Sequence, residues 1–128
     1  MKKLLLFLLL LSLACTSDDP EIEILGEWQL VEVLADPGDG SGKFKSVDSN
    51  KRITFFEDGS YTSNGLICDF TTRAEETSSG QYTIDEDGYL IPCSDPVSFT
   101  VGLRLEDGFL IMSFPCIEPC LQKFRKQS

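Results

Sequence analysis

Cys68, Cys93, Cys116 and Cys120 are the residues whose type and spacing carry the most chemistry, in a chain that has no histidine. Without imidazole there is no Ser-His-Asp or Cys-His machinery and no histidine-ligated zinc. Four thiolates could hold zinc, but no two of these cysteines are separated by only two residues. The Cys116/Cys120 pair, with three residues between, stands alone. Disulfides are the expected chemistry, and three pairings are open. Carboxylates abound, and glycoside hydrolysis needs only two of them, yet no pair is marked by spacing. No Gly-x-Ser-x-Gly motif or phosphate-cradling glycine motif is present. The stretch from Asp36 to Gly42 has some of the Asp and Gly of a calcium loop. It lacks the acidic ligands at positions one, three and five and the glutamate at twelve, so a flexible loop is expected instead. No catalytic residue, metal ligand or cofactor is expected.

The fifth cysteine belongs to a different pattern. Met1-Lys2-Lys3 is basic, Leu4 to Leu13 is apolar except for Ser12, and Ala14-Cys15 follows. That is the layout of a signal peptide, and an apolar run of about ten residues is half of the roughly twenty that a spanning helix needs. Ser12-Leu13-Ala14-Cys15 resembles the lipobox of bacterial lipoproteins. The resemblance implies cleavage before Cys15, a diacylglycerol thioether on its sulfur and acylation of the new amino terminus. Several acyl chains anchor firmly, since each buried methylene contributes roughly 0.8 kcal/mol. Ser17-Asp18-Asp19-Pro20-Glu21 looks like the acidic export signal of surface lipoproteins of the Bacteroidota type, and it also reads simply as a solvated tether. The implied division is a signal peptide over 1–14, a lipidated tether over 15–24 and a folded domain over 25–128. The implied location is the outer membrane, lipid-anchored and facing the cell surface.

Charge narrows the partners. The chain has 11 Lys+Arg against 21 Asp+Glu, and loss of Lys2 and Lys3 with the signal leaves 9 against 21, a net charge of −12. Nucleic acid is not an expected partner, because phosphate binding needs a basic patch. An acidic face also avoids an anionic lipid surface, so membrane contact is expected through the anchor alone. About 100 residues remain for one small domain, whose core is marginal unless stapled. In an exported protein the four remaining cysteines are the staples.

The elements that position these groups read as β-strands. No stretch has helical periodicity with caps, and short β-rich runs alternate with turn signals. Eight strands are expected, at about 25–35, 51–57, 60–68, 80–84, 89–93, 97–106, 109–114 and 121–126. The sixth is the clearest: Phe99, Val101, Leu103 and Leu105 alternate with Thr100, Gly102 and Arg104. Asp58-Gly59, Asp87-Gly88 and Asp107-Gly108 read as tight hairpin turns. Alternating strand directions place these three turns at one end of an up-and-down meander. Loops 36–50, 69–79, 94–96 and 115–119 then fall at the other end, and all four cysteines with them. The tether joins the tight-turn end, so the long-loop end points away from the membrane.

Gly26-Glu27-Trp28 opens the first strand, and a Gly-x-Trp there is a signature of lipocalins and related calycin barrels. With the long first loop, the eight-strand meander and the cations Lys123 and Arg125 in the last strand, residues 25–126 resemble a small bacterial lipocalin-like lipoprotein domain. The resemblance implies an all-β, eight-stranded antiparallel barrel in which a cation from the last strand packs on Trp28 and closes the bottom. This domain is shorter than typical lipocalins and lacks the helix beyond the barrel. An eight-stranded barrel can be filled by its own side chains or hold one small ligand. Phe55, Phe99, Val101, Leu103 and Leu105 are the expected inward residues, and in an unfilled barrel they would line a pocket. Two functions compete. One is uptake of a small apolar ligand at a mouth bordered by 36–50 and 115–119. The other is a filled, monomeric barrel whose long loops meet an envelope protein, with Phe44, Phe70 and the Pro115–Pro119 corner as contact residues. A pocket above roughly 300 Å³ would separate them.

Overall fold

The computed structural model describes residues 22–94 and 96–128. The expected signal peptide, Cys15 and the acidic run Ser17–Glu21 lie outside them. Among the described residues the protein is all-β, with no helix. Ten strands follow in order: β1 Gly26–Ala35, β2 Lys45–Ser46, β3 Arg52–Phe55, β4 Ser60–Ser63, β5 Ser78–Gln81, β6 Thr83–Asp85, β7 Gly88–Cys93, β8 Phe99–Glu106, β9 Phe109–Phe114 and β10 Cys120–Lys126. Nine make one antiparallel sheet in the order β5-β4-β3-β1-β10-β9-β8-β7-β6, and β2 pairs with β1 beside it.

The two ends of that order are consecutive in the chain, with Tyr82 alone between them. β5 pairs with β4 and β6 pairs with β7, so one run of chain changes partner at Tyr82 and nearly closes the sheet into a barrel. The expected fourth strand is thus two half-strands. Tyr82 explains the break. Its N–H donates to the Gly59 carbonyl, and its ring turns inward, edge-on to Phe55 with centroids 5.4 Å apart. Joined at Tyr82, β5 and β6 count as one strand, and the barrel has the eight-membered up-and-down meander expected.

Two strands differ from expectation for local reasons. The third was expected to reach Cys68 and stops at Ser63. Asn64 ends it by replacing the ladder: its Oδ1 accepts from Arg52 N–H and its Nδ2 donates to the Asn50 carbonyl. In β1 a bulge falls between Leu30 and Glu32. Leu30 faces Phe124, Glu32 faces Lys123, and Val31 has no opposite number. The extra residue flips the side-chain phase. It sends Glu32 outward to an ion pair with Lys123 and turns Val33 toward the core. This is why a strand apolar on both faces has only one face inside.

The turns also show their chemistry. Asp107 and Gly108 both have positive φ, 52° and 82°, the two-residue turn whose twist matches that of paired strands. At the first hairpin Gly59 alone has positive φ, and Phe56 and Ser60 close a longer loop. At the second, Asp85 pairs directly with Gly88, so the turn residues are Glu86 and Asp87 and lie one place earlier than expected.

The core is one cluster drawn from nearly every strand. It includes Trp28 and Leu30 of β1, Ile53 and Phe55 of β3, Tyr61 of β4, Ile91 of β7, Val101 and Leu103 of β8, Leu110 and Met112 of β9, and Phe124 of β10. Ile24 joins this core at the tight-turn end and Ile22 packs against it, so residues ahead of 25 contribute to the packing.

Candidate functional site

The tight-turn end is closed by the chain's own start. Gly26 has a φ of 101°, a conformation that favours glycine. The chain folds back there so that Ile24 is fully buried and its carbonyl accepts from Trp28 Nε1 at 2.8 Å. The cation over Trp28 is Lys126, with Nζ 5.4 Å from the ring centroid. The expected pair, Lys123 and Arg125, is corrected here. In β10 the even positions Cys120, Gln122 and Phe124 point inward, so Lys126 shares their side while Lys123 and Arg125 sit on the outer wall. Lys123 instead caps Phe44 at 4.1 Å and pairs with Glu32. Arg125 lies opposite Gln29 and Phe109.

The barrel interior is filled. Phe55, Val101 and Leu103 point inward as expected and are buried, and Phe99 and Leu105 are partly buried against the same core. Ile53, Ile67, Ile91, Val101, Leu110, Met112 and Phe124 all have 0% exposure. A void able to hold a ligand would leave the side chains around it accessible to a water-sized probe, so these residues border no such void. These seven are core, and Leu103 also borders a depression of about 180 Å³ beside Leu90, Gly102 and Ser113. The broad depressions lie outside. One of about 660 Å³ runs over the outer wall past Arg52, Thr54 and Thr62. Another of about 530 Å³ lies between Val47, Phe109 and Arg125.

The long-loop end is different in kind. Both disulfides are there, as strand parity required, and the structure selects Cys68–Cys93 and Cys116–Cys120 from the three pairings, with Cα separations of 5.8 and 6.0 Å. Beneath them is a buried polar group that alternation along the strands could have located. Lys51 is in phase with Ile53 and Phe55, and Gln122 with Cys120 and Phe124, so both enter the barrel, and both have 0% exposure. Lys51 Nζ donates to the Thr71 carbonyl at 2.8 Å and to Gln122 Oε1 at 3.2 Å. Gln122 Nε2 donates to the same Thr71 carbonyl at 3.0 Å. Ser49 Oγ holds the next carbonyl, Thr72, at 2.6 Å. Burial pushes the Lys51 ammonium down from its usual 10.5 to about 8, and the Asp69 carboxylate pulls it partly back. Loop 64–77 is thereby a plug, tied by its carbonyls to donors inside the barrel. It also sends Ile67 into the core. Gly65 permits the close fit, since a Cβ there would lie 2.7 Å from the Arg73 carbonyl and 2.9 Å from Lys51 Cγ.

Above the plug the rim is apolar and acidic. Phe70 packs edge-on to Phe114 with centroids 5.3 Å apart and stays partly exposed, while Val97 and Ile117 are widely exposed. In loop 36–50 the Asp36 carboxylate accepts from the backbone N–H groups of Gly38, Gly40 and Gly42. Those bonds, Gly38 first, hold its pKa below the usual value and make Asp36 an organiser of the loop.

A family model described as a lipocalin-like domain matches residues 24–101, more than half of the chain. The chain belongs to the lipocalin-like domain family. The match runs from Ile24 at the closed end through β7 and into β8, so it covers Gly26, Trp28, Lys51 and the plug. No curated protein and no solved structure matches the chain. This lipocalin-like barrel has the closed end of its family resemblance, with Lys126 as the closing cation, and a mouth occupied by its own chain.

Proposed function

We propose that this is a lipid-anchored envelope lipoprotein, tethered through Cys15 at the outer membrane, whose lipocalin-like barrel acts as an interaction module through its long-loop end. The single observation that carries the interaction reading is the filled interior: seven side chains from across the barrel have no accessible surface. With no pocket among them, binding falls to the surface. The exposed Phe70, Val97 and Ile117 are the apolar groups at the long-loop rim, and Asp69 and Glu118 are the sequence neighbours of Phe70 and Ile117. Apolar contact flanked by carboxylates suits a protein partner with a basic rim around an apolar centre. Anchoring fits the same geometry. Ile22 to Ile24 pack at the tight-turn end, so a tether from Cys15 leaves the long-loop end facing away from the lipid.

Photo-crosslinking in the native envelope tests this. A photoreactive side chain at Val97 or Ile117 should give high-mass adducts, and one at the exposed Ile84 near the opposite end should not. Adducts from Ile84 alone, or from none of the three, would refute the rim as the working surface. Cys15→Ser should move the chain from the membrane fraction to the soluble fraction, and retention in the membrane would refute the anchor.

A further inference from the structure

The outer wall of a closing sheet curves outward, so a depression of about 660 Å³ across it has a cause in the side chains. Strand register supplies it. β5, β4, β3 and β1 lie side by side, and Ser79, Thr62, Thr54 and Glu27 stand opposite one another across them. These residues alternate with the inward Trp28, Ile53 and Tyr61, so the row faces out. Three of the four carry only a short hydroxyl side chain. The rows on either side are taller. Gln29, Arg52 and Asn64 border the trough toward the mouth, and Phe56 and Gln81 stand toward the tight turns. The floor is therefore a line of hydroxyls crossing four strands, roughly 14 Å at one strand spacing per step.

The charges along this trough cancel. Arg52 and Glu27 are the two charged side chains that line it, and Arg52 Nη1 donates to Glu27 Oε1 at 3.2 Å. Arg52 Nη2 donates to Gln29 Oε1 at 3.4 Å, which holds the guanidinium in place. The ion pair stays 46% and 42% exposed, so it adds little to stability and leaves guanidinium donors and a carboxylate oxygen open to a ligand. An anionic ligand meets an arginine that is already neutralised. A peptide side chain finds no apolar cavity to anchor it. What matches is a ligand that is itself a neutral, closely spaced set of hydroxyls, since the Thr and Ser hydroxyls both donate and accept. Phe56 adds the apolar element. It is 43% exposed and lies two residues beyond Thr54, at the border of the trough. The face of its ring is negative and suits the C–H face of a sugar ring.

We propose that the hydroxyl trough on the outer wall of β1, β3, β4 and β5 is a saccharide site, which takes neutral pyranose units laid across the strands. Arg52 and Glu27 bind adjacent hydroxyls of one unit as a donor and an acceptor. Thr54, Thr62 and Ser79 meet further hydroxyls along the floor, directly or through water. Phe56 covers a C–H face at the tight-turn border. The trough has the volume of a small-molecule site, for which the range is roughly 300–1,000 Å³. It is open along its length, so binding is weak for a single unit and grows with the number of units in contact. The site lies on the side of the barrel, apart from the filled interior and the long-loop rim, and it does not depend on the function proposed for that rim.

The test is an NMR titration of the isotope-labelled full chain with cellobiose, maltose, lactose and mannobiose, each taken to tens of millimolar, and with sulfate in parallel. At least one disaccharide should shift the Thr54, Thr62 and Ser79 amide signals and the Arg52 Nε signal together and to saturation. Sulfate should leave them in place. The hexasaccharide of the disaccharide that binds then identifies the source: tighter binding assigns a stretch of a longer glycan, and equal binding assigns a free short sugar. Arg52→Met should weaken binding roughly tenfold, the worth of a charge-assisted hydrogen bond. Thr62→Gln, at an exposed position, raises the floor and should abolish saturation with the urea midpoint unchanged. No response to any of the four disaccharides overturns the proposal, as does an equal response to sulfate or full affinity in either variant. If Arg52→Met does not fold, Thr62→Gln and the titrations of the unaltered chain decide the matter.

Discussion

The two disulfides close loops of very different length, and that difference sets their unequal worth. Cys68 and Cys93 are 25 residues apart in sequence, and Cys116 and Cys120 are 4 apart. In the chain-entropy description a cross-link restricts the unfolded chain more as its loop grows, giving about 3.5 kcal/mol for the first bridge and about 2 for the second. Packing does not separate them strongly, because each has one buried partner, Cys93 or Cys120, and one more accessible, Cys68 or Cys116. The paired variants Cys68→Ala/Cys93→Ala and Cys116→Ala/Cys120→Ala should therefore differ by about 1.5 kcal/mol, the long-loop variant being the weaker. Equilibrium urea unfolding of the full chain reads this as midpoint shifts at a common slope. The long bridge also fixes the root of the plug, which adds to its cost, so the entropic difference is a lower bound. Equal losses, or a larger loss on removing Cys116–Cys120, would refute the reasoning that loop length governs these staples.

Lys51 should leave a signature in stability against pH. Its folded pKa of about 8 lies below the unfolded 10.5, so between these values the unfolded chain holds more protons and stability rises with pH. The gain should be about 2 kcal/mol between about pH 8 and 9.5, and it should vanish in Lys51→Met. Burial raises the Tyr61 and Tyr82 hydroxyls, which act in the opposite sense above about pH 10, so the comparison belongs below that. A wild-type curve flat from pH 8 upward would refute the burial of the amine. At the closed end, Lys126→Ala should change Trp28 fluorescence and cost about 0.5–1 kcal/mol, while Arg125→Ala should do neither. The reverse order in chemical denaturation would refute the register of β10.

Much of the architecture was legible because its causes are local. Alternation in Phe99–Leu105, Asp-Gly turns, and the absence of capped helical runs each depend on residues close in sequence, and together they yield an all-β meander. Strand parity alone placed all four cysteines at one end. The absence of histidine removed whole classes of catalysis before any fold was known. The Gly26-x-Trp28 start marked the closed end.

What depended on distant parts of the chain was settled only in three dimensions. Which cysteines pair is a matter of which loop ends come within bridging distance across the mouth. The cation on Trp28 is Lys126, because β10 turns its even residues inward, a fact about register against β1 and β9. The bulge at Val31 and the partner change at Tyr82 arise where the curvature of a closing sheet must be absorbed. The plug was the hardest feature to read. Gln122 sits on an inward position of β10 and Lys51 immediately ahead of β3, 71 residues apart, and they are tolerated there because a carbonyl from a third segment meets both. A strand's own pattern says which way a side chain points. Only the folded barrel decides whether a polar group pointing inward will find the partner that lets it stay.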